Sequence, residues 1–287
     1  MAGPRSTVHP FIDVQRLLQT RGVPVPAIYY TDMTRGLIVL EDLGKITFEA
    51  HLETISQADW IQSYTEIVTL LARMHLACEV ADPGCIVSKR LFDRELITWE
   101  LEHFVEWGYE ALYGPLLAST RKGLCANFER ITHRMLDMPQ GFCHRDFQSR
   151  NLMYTPLRSL GAWTVLDFQD ALMGPRPYDL AALLCDSYIS LAPELQTSLI
   201  HVYTERMGFS RTDAALFEKA FWWVALQRKL KDAGRFIFID RERKNPAFLR
   251  YYIPSLTYAL RALDSIGSME PLHDVVTMCI ARYATSS

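Results

Sequence analysis

A chain of 287 residues is long enough to bury a sizeable core, as one large domain or two smaller ones. It is 49% apolar and 22% charged, the make-up of a soluble globular protein. A net charge of −3 gives no basis for binding nucleic acid or an acidic membrane surface. The six cysteines lack CxxC spacing and sit in apolar surroundings, which fits free thiols in a reducing compartment. No apolar run approaches the ~18 residues that span a membrane, and the first residues lack a signal-peptide core. A cytoplasmic location is the expectation.

In chain order, Phe11, Val14, Leu17 and Leu18 share one face of a helix that Gly22 stops. Pro24 and Pro26 then force extended backbone. Residues 37–40 (Leu-Ile-Val-Leu) read as a buried strand, ending in a polar turn at 41–44. Beyond Gly44 helices dominate. Ile61, Tyr64, Ile67, Val68, Leu71 and Met74 keep a helical period, a second helix runs from Asp93 towards Leu117, and a third spans about 120–137. Between Gln140 and Gly174 the pattern changes to short extended pieces joined by polar turns. Helical periodicity returns at 178–189, at 216–234 and in two segments that finish the chain. The expected fold is α+β in two parts, a small β-containing beginning over 1–43 and a helical region over 44–287.

Residues 143–151 read Cys-His-Arg-Asp-Phe-Gln-Ser-Arg-Asn, and Asp167 follows sixteen positions after Asn151. Phosphoryl transfer needs an oriented nucleophile and a metal held against the developing charge. A carboxylate can accept the attacking hydroxyl's proton, while an amide oxygen and a second carboxylate suit Mg²⁺, which prefers hard oxygen ligands. His144-Arg145-Asp146 with Asn151 fits the H-R-D-x-x-x-x-N catalytic loop, and Asp167-Phe168-Gln169 stands where D-F-G holds metal. Residues 151–154 and 162–166 can pair as a hairpin that brings Asn151 and Asp167 to one end. His144 reads as a structural support. Asp179 is either a simple acid at a helix start or a hydrogen-bond partner of the loop.

On these residues the chain resembles the aminoglycoside phosphotransferase/choline kinase superfamily. Within it, the chain is similar to bacterial kinases that phosphorylate the anomeric hydroxyl of N-acetylmuramate and N-acetylglucosamine in cell-wall recycling. Residues 37–44, 144–153, 166–188 and 226–236 carry the likeness, within a span of 10–266. It implies a protein-kinase-like two-lobe fold, ATP and Mg²⁺ as cofactors, Asp146 as base, and Asn151 and Asp167 as metal ligands. It further implies a nucleotide hinge at Glu41, Asp42 and Leu43, with substrate-pocket roles for Glu95, Gln169 and Arg228. A solvated helix charge is the other reading of Glu95 and Arg228.

Two parts of the kinase pattern are not found. No G-x-G-x-x-G precedes the hinge, and the first lysine is Lys45, so no strand Lys–helix Glu pair can be drawn before it. The expectation is therefore an N-terminally truncated chain with an incomplete nucleotide lobe. The alternatives to a sugar kinase are an aminoglycoside- or choline-type kinase and, in another class, a non-catalytic ligand-binding remnant. The expected partner is a small-molecule substrate, with the oligomeric state unknown.

Overall fold

The computed structural model describes residues 9–80, 82–156 and 162–286. Helix α1 (Pro10–Thr20) starts with proline at a position where a missing N–H costs nothing, and it buries Val14, Leu17 and Leu18. Gly22 turns the chain out at φ +73°. Residues 23–27 run extended, and Val165 N donates to Pro24 O at 2.8 Å. Strands β1 (Ile28–Asp32) and β2 (Leu37–Leu40) then form an antiparallel hairpin with a bulge between Ile28 and Tyr30.

Residues 37–40 form the expected strand, but not a buried one. Leu37, Val39 and Leu40 are exposed, as are Tyr29 and Tyr30 opposite. The cause is pairing: among the described residues β1 is the only partner of β2. Helix α1 behaves differently. Phe11 stacks 4.9 Å from Phe168, Asp13 Oδ2 accepts Ile86 N at 2.7 Å, and Val14, Leu18, Val23 and Val25 join the main core. Among the described residues before Gly44, the β1–β2 ribbon stands clear of it.

The helical region follows. Thr47 caps α2 (Phe48–Thr54) through its hydroxyl, and α3 (Trp60–Ala77) buries Tyr64, Ile67, Val68, Leu71 and Met74. Ile61, expected on that face, is exposed. Asp93 caps α4 (Arg94–His103), which continues through a π-helical segment (Phe104–Glu110) into α5 (Ala111–Tyr113). Helix α6 (Ala118–Leu136) completes this set. The short extended pieces make two antiparallel pairs. Strand β3 (Gln140–Cys143) pairs with β6 (Leu172–Pro175), and β4 (Leu152–Tyr154) pairs with β5 (Trp163–Val165). The inner pair leaves Asn151 and Asp167 at one end, the arrangement expected of residues 151–166.

Helix α7 (Tyr178–Leu184) stops short of the predicted 189, because Asp186 turns back to bond Ser149. Helix α8 (Pro193–Arg206) was not foreseen; its buried face mixes Leu199, Ile200 and Tyr203 with Gln196 and Thr204, which blurs the apolar period. Helix α9 (Arg211–Arg243) runs 33 residues, about 50 Å at the usual rise, and α10 (Tyr252–Ile266) and α11 (Leu272–Ser286) close the chain. The π segment lies against α9 at glycine-sized separation. A Cβ on Gly234 would fall 2.8 Å from His103 O and 2.9 Å from Phe104 Cα, and one on Gly108 would fall 3.4 Å from Gly234 N. That close approach sets the α4 side chains against the middle of α9.

Candidate active site

The loop after β3 has an unusual backbone. Arg145 has φ +76° and Asp167, after β5, has φ +60°, values that L-residues adopt only when surrounding bonds impose them. At Arg145 those bonds come from Asp179, fully buried in the first turn of α7. Its Oδ2 accepts His144 N at 2.7 Å and its Oδ1 accepts Arg145 N at 2.9 Å. His75 Nε2 completes the set by donating to Asp179 Oδ2 at 3.0 Å, while its Nδ1 lies 2.7 Å from Tyr203 Oη. Asp179 is thus both of the things its sequence position suggested, a helix-start acid and a partner of the loop.

His144 is a pillar of the same loop. Burial holds its imidazole below the usual range, against the pull of Asp179 and Asp146, so it is neutral. Its two bonds agree on one tautomer: Nε2–H donates to Leu166 O at 2.8 Å, and Nδ1 accepts from Asp146 N at 3.3 Å. The ring therefore ties the first loop to the end of β5. Further along, Asp186 accepts both the N–H and the hydroxyl of Ser149. Arg150 forks onto Glu49 of α2 at 2.6 and 2.9 Å and lies 3.7 Å over the Tyr188 ring.

These supports present Asp146 to a cleft with its carboxylate 39% exposed. Desolvation raises its pKa, but the cations Lys231 first, then Arg228 and Arg145 outweigh it, so the net shift is downward. Arg228 is fully buried behind the base. It donates to Arg145 O at 2.6 Å and reaches Asp146 Oδ1 at 3.4 Å, with its guanidinium over the Tyr178 ring. The cleft holds about 380 Å³ between α4, the loop and α9, and Trp99, Glu100, Asp146, Lys231, Arg235 and Phe236 are among its lining residues.

Asn151 and Asp167 lie side by side at the mouth of the hairpin. Asn151 Nδ2 donates to Asp146 O at 2.9 Å and, at 3.4 Å, to Asp167 Oδ2. With two acceptors on the nitrogen side, the amide oxygen is the atom left for a cation. Gln169 Nε2 donates to Asp167 Oδ1 at 2.6 Å, so Gln169 supports the carboxylate and does not line the cleft. An amide oxygen beside a carboxylate fits Mg²⁺, which is commonly held by one or two protein oxygens and completed by phosphates and water.

The remaining expected residues separate. Glu95 is exposed in the first turn of α4 and does not line the cleft. The acid that does is Glu100, one and a half turns on, bonded to Arg145 at 3.0 Å and to Gln227 at 2.7 Å. At the turn after β2, Glu41 spends its N–H on Ala27 O and its carboxylate on Ala27 N. Among the described residues Asp42 and Leu43 make no backbone hydrogen bond through their N–H groups.

Sequence reasoning missed Glu100, Lys231, Arg235 and Asp186. For three of them a signal existed. Arg228, Lys231, Asp232 and Arg235 recur at i, i+3, i+4 and i+7, a charged stripe on one face of a helix otherwise rich in buried residues. Glu100 interrupts the apolar face made by Ile97, Leu101 and Phe104. A buried charge there needs partners, and the loop arginine is one.

Comparison with known proteins identifies the family. Residues 2–217 match the family described as "Phosphotransferase enzyme family". The N-acetylmuramate/N-acetylglucosamine kinase of Neisseria meningitidis is 30% identical over 283 residues, covering 94% of this chain and 79% of that protein. The kinase of the same name from Pseudomonas aeruginosa is 29% identical, covering 86% of this chain and 70% of its own. Among solved structures, wild-type aminoglycoside 2′-phosphotransferase-IIIa in its GDP complex superposes with a TM-score of 0.59 at 13% identity, covering 96% of this chain and 82% of that one. The choline kinase LicA from Streptococcus pneumoniae does so with 0.54 at 17% identity, over 89% and 80%. The α+β architecture is thus the protein-kinase-like fold. The chain belongs to the phosphotransferase enzyme family and is a small-molecule kinase.

Proposed function

We propose that this kinase transfers the γ-phosphoryl group of ATP, with Mg²⁺, to the anomeric hydroxyl of an N-acetylated amino sugar, as part of cell-wall sugar recycling in the cytoplasm. The observation that carries the reading is Asp146, an ionised carboxylate opening into a cleft and standing beside an amide–carboxylate pair suited to a divalent cation. The amino-sugar acceptor is suggested by the two relatives, both named as kinases of such sugars.

In this reading Asp146 accepts the proton of the attacking hydroxyl, and its depressed pKa keeps it ionised at neutral pH. Arg228 and the Asp179-bonded loop hold it in position. Asn151 and Asp167 would hold Mg²⁺, which when bound supplies charge neutralisation of the transferring group. The turn at Glu41, Asp42 and Leu43 is the adenine-facing hinge through the peptide groups of Asp42 and Leu43, with Glu41 bracing it against Ala27. Residues 1–43 then form the nucleotide side and 44–287 the acceptor side.

The cleft favours a neutral or acidic acceptor over a polycation. Of its acids, Glu100, Asp146 and Asp232 are bonded to Arg145, Arg228 and Lys229 respectively, leaving Asp170 without an ion pair among the described residues. A phosphotransfer screen over amino sugars, aminoglycosides and choline tests this. Turnover of amino sugars alone is expected, and turnover of an aminoglycoside or choline alone would overturn it.

A further inference from the structure

At the α4–α9 end of the cleft one cation is left without a counter-ion. Arg235 lines the cleft, half-buried, with its guanidinium 5.1 Å over the Phe238 ring. Among the described residues no carboxylate pairs with it. Its neighbours Arg145, Arg228 and Lys229 are all bonded to carboxylates, so an unpaired guanidinium is the exception here. A second arginine, Arg243, stands 6.0 Å over the same Phe238 ring, and burial together with Arg243 lowers the pKa of Arg235 against the pull of Asp146. Two cations near one ring, neither in an ion pair among the described residues, leave a site that an anion would relieve.

The wall beside Arg235 is also incomplete. His103 lines the cleft, is 8% exposed, and its Nε2 has no hydrogen-bond partner. Burial, then Arg235 and Lys231, push its pKa down to about 4, so the ring is neutral at physiological pH and adds no competing charge. The Trp99 indole stacks on it 5.5 Å away and is 59% exposed, a flat apolar surface such as a sugar ring packs against.

We propose that Arg235 is the specificity-determining residue that takes the carboxylate of an acidic amino-sugar acceptor, with Trp99 under the sugar ring and His103 Nε2 serving a polar group of the same substituent. This rests on the amino-sugar reading above and deepens it. Of the two sugars in the relatives' names, N-acetylmuramate differs from N-acetylglucosamine by a carboxylate-bearing lactyl ether, so the pair isolates the group in question. Planar guanidinium matches carboxylate bidentately, whereas lysine offers a point charge.

The experiment is the ratio of kcat/KM for N-acetylmuramate to that for N-acetylglucosamine, measured in the wild-type chain, Arg235→Gln and Arg235→Lys. A ratio cancels any fraction of misfolded protein. The expected result is a fall of about tenfold or more in the glutamine variant, carried by KM, with a partial return in the lysine variant. A ratio within about twofold of wild type in both variants would overturn the assignment. If the wild-type chain turns over neither sugar, the amino-sugar reading fails, and Trp99 fluorescence titration with the same two sugars judges the subsite separately. Preference for the acidic sugar that Arg235→Gln removes supports it, and equal or absent binding overturns it.

Discussion

The Asp179 carboxylate accepts the backbone N–H of Arg145, the residue immediately before the proposed base and the one held at φ +76°. A buried acid some thirty residues downstream thereby fixes the conformation that aims Asp146 into the cleft. Asn at position 179 would turn one carboxylate oxygen into a donor facing the His144 and Arg145 N–H groups. A buried donor left without an acceptor costs ~1–3 kcal/mol, and a displacement of the base of about 1 Å costs ~10²-fold in rate. Asp179→Asn is expected to lower both kcat and the urea midpoint, measured side by side. Wild-type kcat in that variant would remove the loop-holding role.

Lys231 is the strongest of the charges that depress the Asp146 pKa. The sign follows from linkage. A carboxylate whose folded pKa lies below its ordinary 3.8 is ionised throughout the neutral range, so the acid limb of kcat/KM lies below that value. Its contribution to stability is present above the unfolded pKa and is lost as pH falls through the folded one. Lys231→Met removes the largest opposing charge and leaves desolvation, so the acid limb should move upward. A pH–rate profile of the two proteins checks this, and coincident acid limbs would contradict it.

Gly234 lies mid-helix in α9, where alanine would return ~1 kcal/mol of helix propensity. Against that, an added Cβ would meet His103 O at 2.8 Å and Phe104 Cα at 2.9 Å. Backbone atoms cannot rotate aside, so the overpacking cost belongs in the upper part of the usual ~1–3 kcal/mol and wins. Gly234→Ala is expected to lower the thermal midpoint and raise KM for the acceptor, because α4 carries Trp99, Glu100 and His103 into the cleft. A raised midpoint with unchanged KM would show that the helix contact does not set the cleft width.

Much of this was legible in the sequence for a physical reason: the loop and hairpin are local. Asp146, Asn151 and Asp167 lie within a short segment whose extended pieces and turns are readable residue by residue, and the structure brings those side chains together. What escaped was long-range. Glu100 meets Arg145 from 45 residues away, and Arg228 meets Asp146 from 82. Nothing in a helix's own period says which neighbour its charged face will find. The β1–β2 ribbon was only half legible: an apolar run of four residues reads as buried, and its open edge follows only once the incomplete nucleotide lobe is taken into account.

The account turns on Asp146. Phosphorus NMR of the full chain with ATP, Mg²⁺ and N-acetylglucosamine should show an anomeric sugar phosphate accumulating. Asp146→Asn should cut that rate by ~10²–10⁴-fold, the usual contribution of a positioned general base. Transfer undiminished in Asp146→Asn, or no anomeric phosphate from the wild-type chain, would contradict it.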